Sequence, residues 1–418
     1  MKTEHMGDRD ERVRTALRHH IDAQRVPPPD LARIVARAEG AARPRPRSGW
    51  VVHAVAAAVA VVVCGTVTVV AVTGAETRYG VAPVFSPDRI PDFDTLPGPE
   101  AVWPDAVREL PEELPDGSEY QVADATEGDE LLVVSAGRET GPLLFDPDTG
   151  SVRRVATAAV SDGLAQPRVT TAQVAGDRVV WFLEGRRDGR VVREAWVAPV
   201  AGGAATRLAN LPAISGKAVL AGDAMIWEVF GPGQGEDDVA IRRLSLADGR
   251  IADVPGSRGY WLSTIPGWIT TQYPGTPFGE PERGGELVDV ATGERYRWKA
   301  NEEMVGTVAC GPDWCSGWTV GEQAAIQDLG GRAYVSLKER GSLEPALGGR
   351  LAIGSLGERW VVWDRSTGKA AAIERGRPDG MFARERFFLR DGTSTRSTVQ
   401  TWIAPDGTYT MLDLKRLG

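Results

Sequence analysis

The sequence predicts an all-β fold: a β-propeller of about seven four-stranded blades, preceded by one transmembrane helix and a short helical tail. A short motif, in which a Gly and an acidic residue precede an apolar run, recurs as EGDELLV (127–133), AGDRVVW (175–181) and AGDAMIW (221–227). A second motif, which predicts a strand, a glycine-containing turn and another strand, occurs seven times. Its turn glycines lie 37 to 53 residues apart: Gly150, Gly203, Gly249, Gly293, Gly331, Gly368 and Gly407.

A period near 40 residues leaves room for four short strands and is typical of a propeller. Neighbouring blades cover the two apolar faces that a blade cannot bury alone. We place the propeller at 119–418, with six or eight blades as alternatives. We expect its ring to close without a strand exchanged between the termini, although AVW (101–103) could add a strand at the seam. The tryptophans expected to pack between blades are Trp181, Trp196, Trp227, Trp268, Trp318, Trp360, Trp363 and Trp402.

Residues 50–73 contain no Asp, Glu, Lys or Arg. About 20 apolar residues cross a bilayer as a helix, so this segment predicts an uncleaved transmembrane helix. A buried helix and a cleaved signal peptide are the alternatives. The basic run RPRPR (43–47) precedes the segment, whereas only two arginines occur in 74–93. Basic residues stay on the cytoplasmic side. We therefore expect a cell-membrane protein with its N-terminus inside and its C-terminal domain extracytoplasmic.

Residues 1–49 form a basic cytoplasmic tail in which two short amphipathic helices are predicted. Their apolar faces could bind a cytoplasmic regulatory protein or the inner membrane surface; a loosely helical tail without a partner is the alternative. The residues of this face are Val13, Leu17, Ile21, Leu31, Ile34 and Val35. Residues 74–118 are rich in proline and are interpreted as a stalk, or as a segment packed along the domain.

Two cysteines, Cys310 and Cys315, have hairpin spacing in VACGPDWCSG. Facing strand positions bring Cα atoms within reach of a disulfide, and an external location favours one. We therefore predict a disulfide. The alternatives are a zinc site, which needs about four ligands, and two buried free thiols.

All four histidines lie at or before residue 53. The external domain therefore cannot hold a histidine-dependent nucleophile or a histidine-ligated metal, and we expect no cofactor and no metal. DPDTG (146–150) resembles the start of a calcium loop but lacks the later Gly and Glu, so a turn is predicted. The acidic run QGEDD (234–238) is predicted to be a solvated loop. Residues 76–418 contain 37 basic and 50 acidic residues, which argues against nucleic acid as a partner.

With these repeats, and with VVWD (361–364) as a trace of the WD signature, the chain resembles the WD40-like and TolB-like propellers of bacterial envelope proteins. Its layout resembles uncharacterised single-pass membrane proteins of high-GC Gram-positive bacteria. The tail is similar to those of membrane-bound anti-sigma factors, without their His and Cys zinc motif. The resemblance implies an anchored extracytoplasmic propeller.

The function expected from these observations is a non-enzymatic, membrane-anchored binding or sensing protein. Its propeller would bind a protein, peptide or glycan, and its tail would engage a cytoplasmic regulator. An envelope scaffold with no signalling role is one alternative. A carboxylate-dependent glycan hydrolase or lyase is the other, because carboxylate chemistry is what remains without histidine. The sequence does not identify the ligand site.

Overall fold

The computed structural model describes residues 89–135, 141–156, 163–211, 215–230, 239–271, 284–306, 309–374 and 398–417. These residues belong to one compact unit, Val72–Gly418. They form an all-β propeller of 26 strands, which confirms the predicted class. The helical pieces outside the strands are short: Phe93–Thr95, Pro99–Val102 and Pro104–Ala106 before β1, Leu347–Gly349 between β21 and β22, and Leu414–Arg416 after β26.

Four sheets have four antiparallel strands each, hydrogen-bonded in chain order. The first contains β2 (Tyr120–Ala125), β3 (Leu131–Ser135), β4 (Leu143–Asp146) and β5 (Ser151–Arg154). The second contains β6 (Ala165–Ala175), β7 (Arg178–Arg187), β8 (Arg190–Pro199) and β9 (Thr206–Leu211). The third contains β10 (Ser215–Ala221), β11 (Ala224–Phe230), β12 (Val239–Ser245) and β13 (Ile251–Asp253). The fourth contains β14 (Trp261–Leu262), β15 (Trp268–Thr270), β16 (Gly284–Asp289) and β17 (Arg295–Lys299).

The fifth sheet has seven strands. They are β18 (Ala309–Cys310), β19 (Trp314–Trp318), β20 (Gln323–Asp328), β21 (Val335–Ala346), β22 (Leu351–Leu356), β23 (Arg359–Asp364) and β24 (Ala370–Ile373). The sixth contains β1 (Val107–Leu110), β26 (Tyr409–Asp413) and β25 (Val399–Ile403), in that order.

The described residues thus form five sheets of four or more strands and one of three, so the prediction of seven separate four-stranded blades is wrong. The cause is β21, which continues from one repeat into the next. Its first half pairs with β20 and its second half with β22. The change of partner occurs at Gly341, whose φ is 129°. A Cβ there would collide with the carbonyl of Ser355, so this crossing requires glycine.

The motifs AGDRVVW and AGDAMIW form the same tight turn in two neighbouring sheets. Gly176 and Asp177 connect β6 to β7, and Gly222 and Asp223 connect β10 to β11. Both glycines have a φ of 61°, in the left-handed region that glycine adopts without steric cost. The apolar run that follows each turn is then the second strand of its sheet.

Successive side chains of a strand point to opposite faces, so each central strand contributes to two clusters. On β7, Trp181 packs with Leu132 of the preceding sheet, while Phe182 packs with Trp227 of the following one. The eight tryptophans expected between blades all lie in strands. Five of them are buried: Trp181, Trp196, Trp227, Trp363 and Trp402.

The ring is closed by a strand exchanged between the two ends of the described chain. Strand β1 pairs with β26 over four residues, from Val107 with Leu412 to Leu110 with Tyr409. The expectation of closure without an exchanged strand is therefore wrong. The seam strand also lies further along the chain than AVW (101–103), because prolines on both sides favour helical starts there.

A buried carboxylate, Asp124 on β2, holds this seam. It accepts hydrogen bonds from the backbone N–H groups of Ala125 (2.8 Å) and Val174 (2.9 Å) and from the hydroxyl of Thr398. It also forms an ion pair with Lys415 at 2.9 Å. One side chain thus connects the first sheet, the second sheet and the C-terminal end of the described chain.

The segment leading to β1 packs on the strands that precede the seam. Phe93 and Trp103 are buried, and Phe93 meets Trp363 edge to face with ring centroids 6.0 Å apart. Arg359 donates to the carbonyl of Phe93 at 2.6 Å, and the Ala372 N–H donates to the carbonyl of Pro97 at 3.0 Å. From residue 89 onward, the proline-rich segment is thus part of the folded unit.

Among the described residues, no helix has the length and apolar character needed to cross a membrane. The predicted transmembrane segment, 50–73, lies outside the described residues, so it stays a prediction. The same holds for the predicted binding face of the tail: Val13, Leu17, Ile21, Leu31, Ile34 and Val35.

Replacing the seam carboxylate, Asp124→Ala, should lower the free energy of unfolding by about 3 kcal/mol, because it leaves buried donors and a half-buried ammonium without their acceptor. Urea denaturation followed by tryptophan fluorescence measures this loss. The control is Asp129→Ala, whose carboxylate pairs with Arg108 and Arg416 but is itself exposed to water. An equal loss in both variants would contradict the special role of Asp124.

Candidate functional site

The turn between β18 and β19 is closed by a disulfide between Cys310 and Cys315. The two residues are direct partners in the strand register, and their Cα atoms are 4.0 Å apart. Both are buried. The disulfide expected from the spacing is therefore present, and the zinc and free-thiol alternatives are wrong for this pair.

The residues inside this disulfide loop pack on the turn between β21 and β22. Trp314 donates its indole N–H to the carbonyl of Gly349 at 2.9 Å, and the Arg365 guanidinium lies 4.8 Å from the Trp314 ring centroid. Arg365 also pairs with Asp313 at 2.6 Å. Burial raises the pKa of Asp313, although the charge of Arg365 works in the other direction. These polar groups join neighbouring turns, which indicates a structural role.

An open cleft of about 380 Å³ lies between the two repeated turns. Its lining residues are Ala175, Gly176, Asp177, Arg178, Gly222, Asp223, Leu246 and Ala247. Asp223 pairs with Arg243 at 2.7 Å, and Arg178 donates to the carbonyl of Leu246 at 3.3 Å. Because these charges are paired with neighbours, the cleft offers no concentrated charge to a ligand.

A stronger candidate is the end of the second sheet, which we name the arginine hairpin: residues 183–194 with Arg168 of β6 and Arg207 of β9. Strands β7 and β8 have ten residues each, whereas β11 and β12 of the next sheet have seven. Asp188 (φ 52°) and Gly189 (φ 74°) make the turn between them. Two consecutive left-handed residues are what a two-residue type I′ hairpin requires, and Asp-Gly is a favoured pair for it.

One face of the hairpin is built around Glu184. Its carboxylate accepts from Arg168 at 2.5 Å and from the Nε of Arg193 at 2.9 Å. The hydrogen bond from Arg168 is the main reason that the pKa of Glu184 is lowered. Arg186 lies on the same face, two residues further along β7, and is exposed. Within the described part of the chain its side chain has no partner.

The opposite face repeats the arrangement around Glu194, which is fully buried. Its carboxylate pairs with Arg187 at 3.0 Å and with Arg207 at 3.3 Å, and accepts from the Trp196 indole at 3.2 Å. Arg190, beside the turn, is exposed, and no described residue pairs with its side chain.

Each face therefore has one glutamate and three arginines. With Asp188 at the tip, six arginines stand against three acidic residues. Arg187 and Arg190 are direct cross-strand partners, and like charges placed opposite each other destabilise a sheet. Arg187 is balanced by its pair with Glu194, whereas Arg190 has no described partner, which makes this end of the sheet the candidate site.

The sequence contains a signal for this site, the basic segment RRDGRVVR (186–193) with four arginines and one aspartate, but the repeat pattern does not distinguish this segment from other hairpins. The DPDTG motif behaves as the predicted turn. Asp146 accepts from the N–H of Asp148 at 2.9 Å and from the hydroxyl of Thr149 at 2.7 Å. The acidic run at 234–238 lies outside the described residues. In the described ranges, no three His, Cys, Asp or Glu side chains cluster as metal ligands.

Comparison with known proteins finds no matching family model and no matching curated protein. Several solved structures are similar at low identity. Uncharacterized protein lmo1340 from Listeria monocytogenes EGD-e has 9% identity and a TM-score of 0.43, covering 64% of this chain and 86% of that one. An oligogalacturonate lyase in complex with manganese has 12% identity and a TM-score of 0.45, covering 74% and 91%. TolB from Acinetobacter baumannii has 12% identity and a TM-score of 0.31, covering 60% and 61%.

Removing the disulfide by Cys310→Ala with Cys315→Ala should lower the free energy of unfolding by about 2 kcal/mol, because the loop gains freedom in the unfolded chain. Urea denaturation measures the loss, with Cys64→Ala as the control. In unreduced protein unfolded in urea, where buried thiols would become accessible, mass spectrometry after alkylation should find neither Cys310 nor Cys315 modified. Alkylation of both would contradict the assignment.

Glu184→Gln should change how stability depends on pH. The pKa of Glu184 is lower in the folded protein than its ordinary value of 4.5, so the unfolded state takes up the proton first. The stability that the wild type gains over the variant is therefore complete above about pH 5 and is lost as the pH falls through the folded-state pKa. Urea midpoints of both proteins at several pH values test this. A difference independent of pH would refute the ion-paired role.

Proposed function

We propose that this chain is a membrane-anchored, extracytoplasmic binding protein whose propeller holds its ligand at the arginine hairpin. The observation that carries the proposal is the state of Arg186 and Arg190. They are exposed on opposite faces of the β7–β8 hairpin near its turn, and no described residue pairs with either side chain. A ligand that supplies hydrogen-bond acceptors or negative charge would pair with these two side chains.

The rest of the hairpin supports binding because its base is rigid. Trp181 and Trp196 stack at the base with their ring centroids 6.4 Å apart, and the buried Glu194 holds Arg207 and also Arg187 beside the turn. Binding groups held by packed strands keep their geometry better than groups on loops. Guanidinium groups stay protonated at all ordinary pH values, so they suit binding better than proton transfer. We therefore propose a ligand-binding role rather than a catalytic one.

The anchor and its orientation belong to the same proposal. An uncharged apolar segment at 50–73 follows the basic run at 43–47, the pattern of a helix with its N-terminus inside. The disulfide fits an oxidising compartment outside the membrane. The apolar face of the tail, from Val13 to Val35, would then bind a cytoplasmic regulator, so that the propeller acts as the external sensor.

We also propose that the ring comprises seven structural units. Strand β21 would belong to two of them, one with β18–β20 and one with β22–β24. The exchanged strand β1 would complete the last unit with β25 and β26. The shared strand would replace the loop that separates the other units.

In-cell crosslinking followed by mass spectrometry tests the proposal. Full-length protein should capture an external partner, and Arg186→Ala with Arg190→Ala should lose most of it. The matched control, Arg258→Ala with Arg332→Ala, removes two other exposed arginines whose side chains have no described partner, and it should keep the partner. An external partner that is retained by the hairpin variant would overturn the proposed site.

The same experiment with residues 2–40 deleted separates sensing from scaffolding. A cytoplasmic partner lost with the deletion, while the external one remains, would support a transmembrane regulator. External partners alone, unchanged by the deletion, would support an envelope scaffold and reduce the tail to a topology signal.

A further inference from the structure

We infer that the ligand of the arginine hairpin is a linear polyanion, a chain that carries carboxylate or phosphate groups at intervals. This inference rests on the proposed binding function and goes beyond it, because it names the chemistry of the ligand. It is carried by the type of the basic residues, by their arrangement on two faces, and by the facing pair of Arg187 and Arg190, of which only Arg187 has a described acidic partner.

The basic residues of the second sheet are all arginines. Residues 165–211 contain seven arginines and no lysine. A guanidinium presents a planar fork of donors that matches carboxylate and phosphate oxygens two at a time, whereas an ammonium acts as a point charge. A surface that uses arginine alone is therefore suited to oxyanions of defined geometry.

The arginines of the hairpin are arranged in the same way on its two faces. Each face has one glutamate that holds two arginines, and one further arginine without a described partner. Because Glu184 and Glu194 already orient their arginines, an arriving anion would order few additional groups. The two faces lie back to back on the β7–β8 hairpin. A single small anion would occupy one face, but a chain that crosses the tip would bind both and gain avidity.

Two arginines beside the turn repel each other. Arg187 and Arg190 face each other across the hairpin, and only Arg187 reaches Glu194. An anion beside Arg190 would relieve this repulsion. The acidic remainder of the domain does not prevent it. At physiological ionic strength charges are screened over about 8 Å, so the local excess of positive charge governs contact with a ligand.

The test measures binding of the full-length protein in neutral detergent to two probes, alginate as a carboxylate polymer and long-chain polyphosphate as a phosphate polymer. Dextran is the uncharged control, and glucuronate and inorganic phosphate are the monomer controls. At least one polymer should bind. Arg186→Ala with Arg190→Ala should weaken binding about tenfold or more, with a shallower dependence on salt. The control pair Arg258→Ala with Arg332→Ala should change it by less than about twofold.

Thermal unfolding separates this role from a structural one. Without polymer, the variant lacking Arg186 and Arg190 should have a Tm equal to or above that of the wild type, because it loses repulsion and no described side-chain contact. A polymer that binds should raise the Tm of the wild type and not that of the variant. A lower Tm of the variant without polymer would overturn the argument.

The remaining outcomes are equally decisive. Tighter binding of alginate or of polyphosphate would support the inference and identify the acid group. Equal weakening in both variant pairs, monomers that bind as tightly as polymers, or duplex DNA that binds more tightly than either would overturn it. If neither polymer binds while crosslinking still captures an external partner through Arg186 and Arg190, this inference fails and the proposed binding function stands.

Discussion

The fold depends on one constraint: every sheet has two apolar faces, and each face must be covered by a neighbour. Trp181 and Phe182 show how adjacent residues of one strand serve opposite neighbours. A row of such sheets would leave two faces open to water, so the row must close into a ring. Closure is completed by β1 beside β26 and by the buried carboxylate of Asp124, which ties both sides of the seam together.

Closure also determines how the arginine hairpin can be used. The base of β7 and β8 is fixed by two apolar clusters, so these strands extend further without losing their register. At the base of β7 and β8, alternate side chains face the two neighbouring sheets. At the tip the same alternation continues, with arginine in place of apolar residues. The same period-2 pattern therefore produces a core at one end and a two-faced basic surface at the other.

Neighbouring repeats are joined in more than one way. Between β20 and β22, the chain uses a continuous strand with a glycine at the crossing, and the adjacent turn is closed by the disulfide and by Arg365. This region therefore combines a covalent link within one turn and an ionic contact between turns with the apolar packing of its sheet. The raised pKa of Asp313 reflects the same burial of polar groups between turns.

Much of this architecture could be read from local patterns. Two-residue turns at Gly176 and Gly222, tryptophans between sheets and the pairing of Cys310 with Cys315 follow from backbone sterics, side-chain alternation and short-range spacing. The composition also determined that histidine chemistry is absent from the chain after residue 53. Each of these properties depends on residues that are near one another in the chain.

The tertiary structure alone decided which distant segments meet. The pairing of β1 with β26 joins strands almost 300 residues apart, and β21 merges two repeats because its partner changes at Gly341. No local pattern contains these contacts, since they arise from ring closure and backbone clearance. The same reason applies to the candidate site. The arginines of RRDGRVVR are visible in the sequence, but only the folded sheet assigns them to two faces, each around its own glutamate, and leaves Arg186 and Arg190 without a described partner.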